Sequence, residues 1–177
     1  PLRRVYPTEA HKRAGVKEGD TPSFLNLLPN GLRDPEHPAQ GNWGGRFARS
    51  GKGHEYLPAR DILDGQRDLL YTIHRWRPAY QNAFQARLEW SRLPFDQANH
   101  EPAAHCNADA SLRVLHVATD PGAQVRLSAA GSSDPDEDNL RYRWWTYPEA
   151  GSYWAEPEIA GATQPDAVVT VPQDAAS

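Results

Sequence analysis

Two carboxylates, Glu18 and Asp20, stand just before the Thr-Pro of the run EGDTPSFLNLLPNGL, residues 18–32. An acid in that place can do one of two jobs. Its oxygens can accept the free backbone N–H groups of a first helical turn, and Pro22 suits that turn because its missing N–H would have no partner there anyway. A carboxylate fixed at a helix start can also be one ligand of a hard cation that takes about six to eight oxygens. By local chemistry alone, Asp20 or Thr21 is a helix cap, and Glu18 is a surface acid.

Other residue types suit sugar chemistry. The stretch GNWGGRF, residues 41–47, sets Trp43 and Arg46 around two glycines, so that a ring and a guanidinium can meet a sugar or another polar ligand in a loop. The competing reading is a glycine turn with Trp43 packed over a core edge. Trp144, Trp145, Tyr147, Tyr153 and Trp154 form the densest aromatic cluster. Adjacent tryptophans in a strand point to opposite faces, so one fills a core. The outward side, with Trp145, Tyr147 and Trp154 as candidates, either stacks on glucose rings or packs against the rest of the protein.

Three further patterns are weaker. SSDPDEDN places Asp134, Asp136 and Asp138 at alternate positions but lacks the central Gly and late Glu of an EF-hand, and Asp-Pro-Asp is a strong turn former. His100, His105, Cys106 and His116 match no usual zinc spacing. Neither a phosphate-binding glycine loop nor a nucleophile elbow occurs, and no catalytic residue is assigned.

The elements that must carry these residues change character along the chain. Phe24, Leu27 and Leu28 have helical spacing, and Asn30-Gly31 is a stop signal. Residues 33–60 read as a long loop: Pro35, Pro38 and Pro58 fall in it, with six glycines between Gly31 and Gly53. From Asp68 to Trp90 a helical pattern resumes, with Trp76, Tyr80, Phe84 and Leu88 at every fourth position and Pro78 either kinking the helix or starting a new one. Past residue 98 the period falls to two. LRVLHV, AQVRLSA, LRYRWW and AVVTV predict short antiparallel strands, fewer than the about seven of an immunoglobulin sandwich.

Charge divides the chain in the same way. Residues 1–92 hold 15 basic and 10 acidic side chains; residues 93–177 hold 4 and 13. The basic residues are scattered among acids, so a nucleic-acid surface is not expected. No apolar run approaches the ~20 residues of a membrane span. The chain starts at Pro1 and contains no Met, so Pro1 is not expected to be the translation start. The single Cys106 excludes only an internal disulfide.

In chain order, YPTEAHKRAGVKEGDTPSFLNLLPNGL, GNWGGRF, RWRPAYQNAFQARLEW, ANHEP and GSSDPDEDNLRYRWWTYPEAGSY resemble the bacterial cellulose-binding proteins that have a nucleoside-hydrolase-like domain followed by an immunoglobulin-like C-terminal domain. The resemblance implies an α/β fold class for residues 1–97, here the C-terminal part of the nucleoside-hydrolase-like domain and mainly helices and loops. Residues 98–177 would form an incomplete all-β immunoglobulin-like sandwich. Both ends of the family's length would be missing. In nucleoside hydrolases a late aspartate helps N-terminal aspartates to hold calcium, and Asp20 occupies that place by resemblance, so calcium is expected only in the intact protein. Gly19 stands where true nucleoside hydrolases often have a histidine, and Ala83 replaces an acid; Glu18 is the nearest titratable substitute. The resemblance implies a secreted or periplasmic protein with a polysaccharide (cellulose) or nucleoside-like partner, inactive as a fragment. The alternatives are a calcium-dependent N-glycosidase when intact, or a purely structural sandwich module.

Overall fold

Proline-rich and glycine-rich sequence does not have to be loop, because hairpins need turn residues as much as loops do. The computed structural model describes residues 20–32, 34–51 and 54–175, without the side chains of Asp20 and Thr21. It divides into two compact units, Pro1–Tyr80 and Gln81–Ser177, whereas the change in sequence character lies near residue 97.

In the first unit, helix α1 (Asp20–Leu25) is followed by two antiparallel hairpins. Strand β1 (Phe47–Arg49) pairs with β2 (Tyr56–Pro58), and β3 (Asp61–Leu63) pairs with β4 (Gln66–Asp68). Asp64 and Gly65 turn the second hairpin with φ of 51° and 76°, the doubly positive turn that matches strand twist. Asp68 then accepts the N–H groups of Leu70 and Tyr71, both at 2.7 Å, and helix α2 (Tyr71–His74) begins. This corrects the expectation of mainly helices and loops: the region is rich in short antiparallel sheet. The apolar stripe expected of α1 is also absent. The helix stops at Leu25, so Leu27 never joins a helical face, and Leu25 is buried while Phe24 and Leu27 are exposed.

Helix α3 (Arg77–Trp90) contains the division between the units. Pro78 sits in its first turn, so it starts a helix rather than kinking one. The expected stripe of Trp76, Tyr80, Phe84 and Leu88 breaks half-way. Trp76, Tyr80, Ala83 and Ala86 are buried, whereas Phe84 is 64% and Leu88 51% exposed. A step of four residues overshoots a 3.6-residue turn by roughly 40° each time, so the repeat rotates off the buried face.

The second unit holds one three-stranded antiparallel sheet, in the order β5 (Gln124–Ser128), β7 (Asp166–Thr170), β6 (Ile159–Ala160). Val125 lies opposite Val169 and Leu127 opposite Ala167. Among the described residues no second sheet faces it, which corrects the expectation of an immunoglobulin-like sandwich. AQVRLSA and AVVTV become strands, but LRVLHV and LRYRWW do not. Alternation prepares a segment for a sheet, yet a strand exists only where a neighbour takes its N–H and C=O groups. From Leu140 to Trp145 burial alternates, but no strand pairing forms there, and the Trp144 N–H reaches the Ala162 carbonyl at 2.8 Å instead. No helix among the described residues is long and apolar enough to cross a membrane.

Candidate functional site

The aromatic cluster lies on the second unit, beside the three-stranded sheet in sequence. Trp144 is anchored twice: its backbone N–H reaches Ala162, and its indole Nε1–H donates to the Gln164 carbonyl at 2.8 Å. Extended backbone sends the next side chain the other way. Trp145 is 43% exposed, with the Tyr147 ring 5.9 Å away and tilted by 43°. After the short 3-10 turn Pro148–Ala150, Trp154 is 56% exposed. Between them Tyr153 donates its hydroxyl to Asp174 at 2.8 Å, and that bond to a carboxylate pushes its phenol pKa upward. Accessible indole and phenol rings offer flat apolar faces with a polar edge, which suits the C–H face and hydroxyl rim of a pyranose.

The GNWGGRF turn has a different use. The Asn42 side chain accepts the Gly44 N–H at 2.7 Å, which tightens the turn. A Cβ on Gly44 would collide with the Pro22 carbonyl oxygen of α1. One on Gly45, at φ +99°, would lie 3.0 Å from the Ile73 side chain of α2. Trp43 is half-buried within this turn. The sugar-facing reading of Arg46 is corrected, because its side chain is buried and its donors are occupied. Nε and Nη2 donate to Asp61 Oδ1 at 3.0 and 2.8 Å, and Nη1 donates to the Ala39 carbonyl at 2.8 Å. Arg75 donates to the other oxygen of Asp61 at 2.7 Å. Asp61 carries no motif, and the sequence reading missed it. The Asp64-Gly65 pair between two short β-like runs was the signal for its hairpin.

Glu18 lies outside the described residues, as does the side chain of Asp20, whose backbone opens α1. Among the described residues no three carboxylates gather within ligand distance of one another. The described side chains therefore do not make up the oxygen set that calcium needs, and no chemical step is derived through it.

Two motifs from separate parts of the sequence meet in the second unit. His100, from ANHEP, gives its backbone N–H to Asp136 Oδ2 at 2.6 Å and places Nδ1 2.8 Å from Oδ1. These bonds hold the Asp136 carboxyl below its ordinary pKa. Trp90 stacks on the His100 ring with centroids 5.7 Å apart, and the Phe95 ring lies 3.9 Å from it, tilted by 31°. Asp134 accepts the Asp136 N–H at 2.9 Å, so SSDPDEDN forms a turn. Cys106 exchanges backbone bonds with Asp109, and burial raises its thiol pKa.

Residues 1–47 match the nucleoside hydrolase-like domain of cellulose-binding Sde182, and residues 124–177 match the C-terminal domain of cellulose-binding protein Sde0182. A solved structure, that of a nucleoside hydrolase-related hypothetical protein from Saccharophagus degradans associated with carbohydrate metabolism, is 33% identical over 92% of this chain, with a TM-score of 0.74. The chain is thus similar to this cellulose-binding family at both of these stretches. It spans 42% of the length of that solved chain. None of the curated proteins matches it. On the family's own division, Trp145, Tyr147 and Trp154 fall in the C-terminal domain, and Asp20, Trp43 and Arg46 fall in the nucleoside hydrolase-like domain.

Proposed function

We propose that the second unit binds cellulose or a closely related β-linked glucan, with Trp145, Tyr147 and Trp154 as its contact residues. The observation that carries this reading is the exposed Trp145 ring beside an anchored Trp144, within the stretch that matches the C-terminal domain of a cellulose-binding protein. Cellulose is an insoluble polymer outside the cytoplasm, so a secreted or periplasmic location goes with this reading. Retention on microcrystalline cellulose tests it. The chain should sediment with the polymer and Trp145→Ala should reduce retention; a chain that stays in the supernatant sinks the reading and leaves the aromatic cluster a packing device.

The match of residues 1–47 to a nucleoside hydrolase-like domain supports a narrower second reading. In the longer protein Asp20 contributes one oxygen to a calcium site, and the ion would orient sugar hydroxyls and a water molecule. Gly19 offers no acid for a leaving base, which weighs against nucleoside cleavage and in favour of binding. Calcium titration of the longer protein decides it. Asp20→Ala should weaken calcium affinity, whereas a cap alone would leave affinity untouched and cost about 1 kcal/mol of stability.

A further inference from the structure

The unit Gln81–Ser177 also contains an open groove of about 530 Å³, which none of the assignments above uses. That volume lies within the range of about 300–1,000 Å³ typical of small-ligand sites. Its wall is the extended segment from Asp138 to Trp144. We infer that this groove binds a single soluble chain of a neutral, β-linked oligosaccharide, an inference that rests on the polysaccharide reading and adds a second contact to it.

Three observations select that ligand class. The side chains of Asp138, Asn139, Arg141 and Arg143 make no hydrogen bond or ion pair among the described residues, and neither does the backbone from Asn139 to Arg143. The free N–H and C=O groups of that backbone thus offer donors and acceptors in turn, and a hydroxyl group, which gives one hydrogen bond and takes two, satisfies both kinds. The formal charges of the lining also balance: Arg141 and Arg143 stand against Asp134 and Asp138. A strongly charged ligand would meet as much repulsion as attraction there, whereas an uncharged polyol meets none. Finally, Tyr142 and Trp144 are both half-buried members of the lining, two residues apart on the same side of extended backbone, and the bond from the Trp144 indole to Gln164 fixes one of the two rings. They supply apolar surface for sugar C–H groups.

Isothermal titration of the chain with cellohexaose tests the inference, with hexagalacturonate as the anionic comparison and a cellulose pull-down run in parallel. Saturable binding of cellohexaose is expected, with no binding of hexagalacturonate, and the double variant Asn139→Ala/Arg143→Ala should lose about tenfold or more in affinity. Neither side chain supports the fold through a hydrogen bond, and an unchanged circular dichroism spectrum will verify that the variant is folded. Absence of cellohexaose binding while the chain still sediments with cellulose overturns the groove and leaves the polysaccharide reading standing. Absence of both overturns the two together. Equal binding of the anionic hexamer overturns the neutral assignment, and an unaltered affinity in the double variant overturns the location.

Discussion

Arg46 and Asp61 form a buried forked ion pair: Nε and Nη2 of the arginine converge on one carboxylate oxygen, with the two side chains 5% and 0% exposed. The pair joins the turn before β1 to the first residue of β3. Removing one partner of such a pair strands the other without compensation. Asp61→Ala should therefore destabilise the protein by about 3–5 kcal/mol in urea unfolding. A loss below about 1 kcal/mol would show that the carboxylate adds little and that the Arg46 bonds to the Ala39 and Arg60 carbonyls hold the turn without it.

Gly44 is tested by its size. Gly44→Ala drives a methyl group into the Pro22 carbonyl, which is backbone and cannot swing away as a side chain can. Thermal unfolding should report a loss of at least about 1–3 kcal/mol. Gly51→Ala, where a Cβ meets nothing within 4 Å, is the control and should melt like the wild type.

Acid should loosen the His100–Asp136 clasp. The hydrogen bonds from His100 lower the folded pKa of Asp136 below its ordinary value. A depressed carboxyl contributes stability above its unfolded pKa and loses it as pH falls through the folded value. The difference in melting temperature between wild type and Asp136→Asn should be full near pH 7, begin to shrink as the pH falls below about 4, and vanish only below the lowered folded pKa. A difference that stays constant with pH would mean that the charge on Asp136 contributes nothing.

The two tryptophans should separate binding from stability. Trp145→Ala is expected to cut cellulose retention by at least about fivefold with little change in melting temperature. Trp144→Ala, which removes the indole anchored on Gln164, should instead destabilise the unit by about 2–4 kcal/mol. Equal loss of stability in both variants would assign Trp145 to packing.

Calcium should leave this chain unaffected, since the described residues gather no set of carboxylates. Melting curves in millimolar calcium and in EDTA should superimpose. A rise of several degrees in calcium would mean that the ion is held by residues of the chain itself, Asp20 among them.

Local signals in the sequence determined several elements. Pro78 in a helical pattern marked either a kink or a helix start, and the start is what α3 shows; Asp-Pro-Asp at 134–136 made its turn; Gly31 took the left-handed conformation, although α1 had already ended at Leu25. Each depends on residues within a few positions of one another, where backbone chemistry is decided. Alternation likewise placed β5 and β7. The rest was settled by contacts between residues distant in the sequence. Which face of α3 is buried depends on the surface the helix meets, so Ala83 and Ala86 are covered where Phe84 and Leu88 are not. Arg46 has the composition of a ligand contact, but Asp61, fifteen positions further along, turns it into a buried structural group. LRYRWW alternates as well as AVVTV does, yet only AVVTV has flanking strands to take its backbone hydrogen bonds. Periodicity specifies which side chains can share a face; only the tertiary structure supplies the partner that makes that face a core, a ladder or a site.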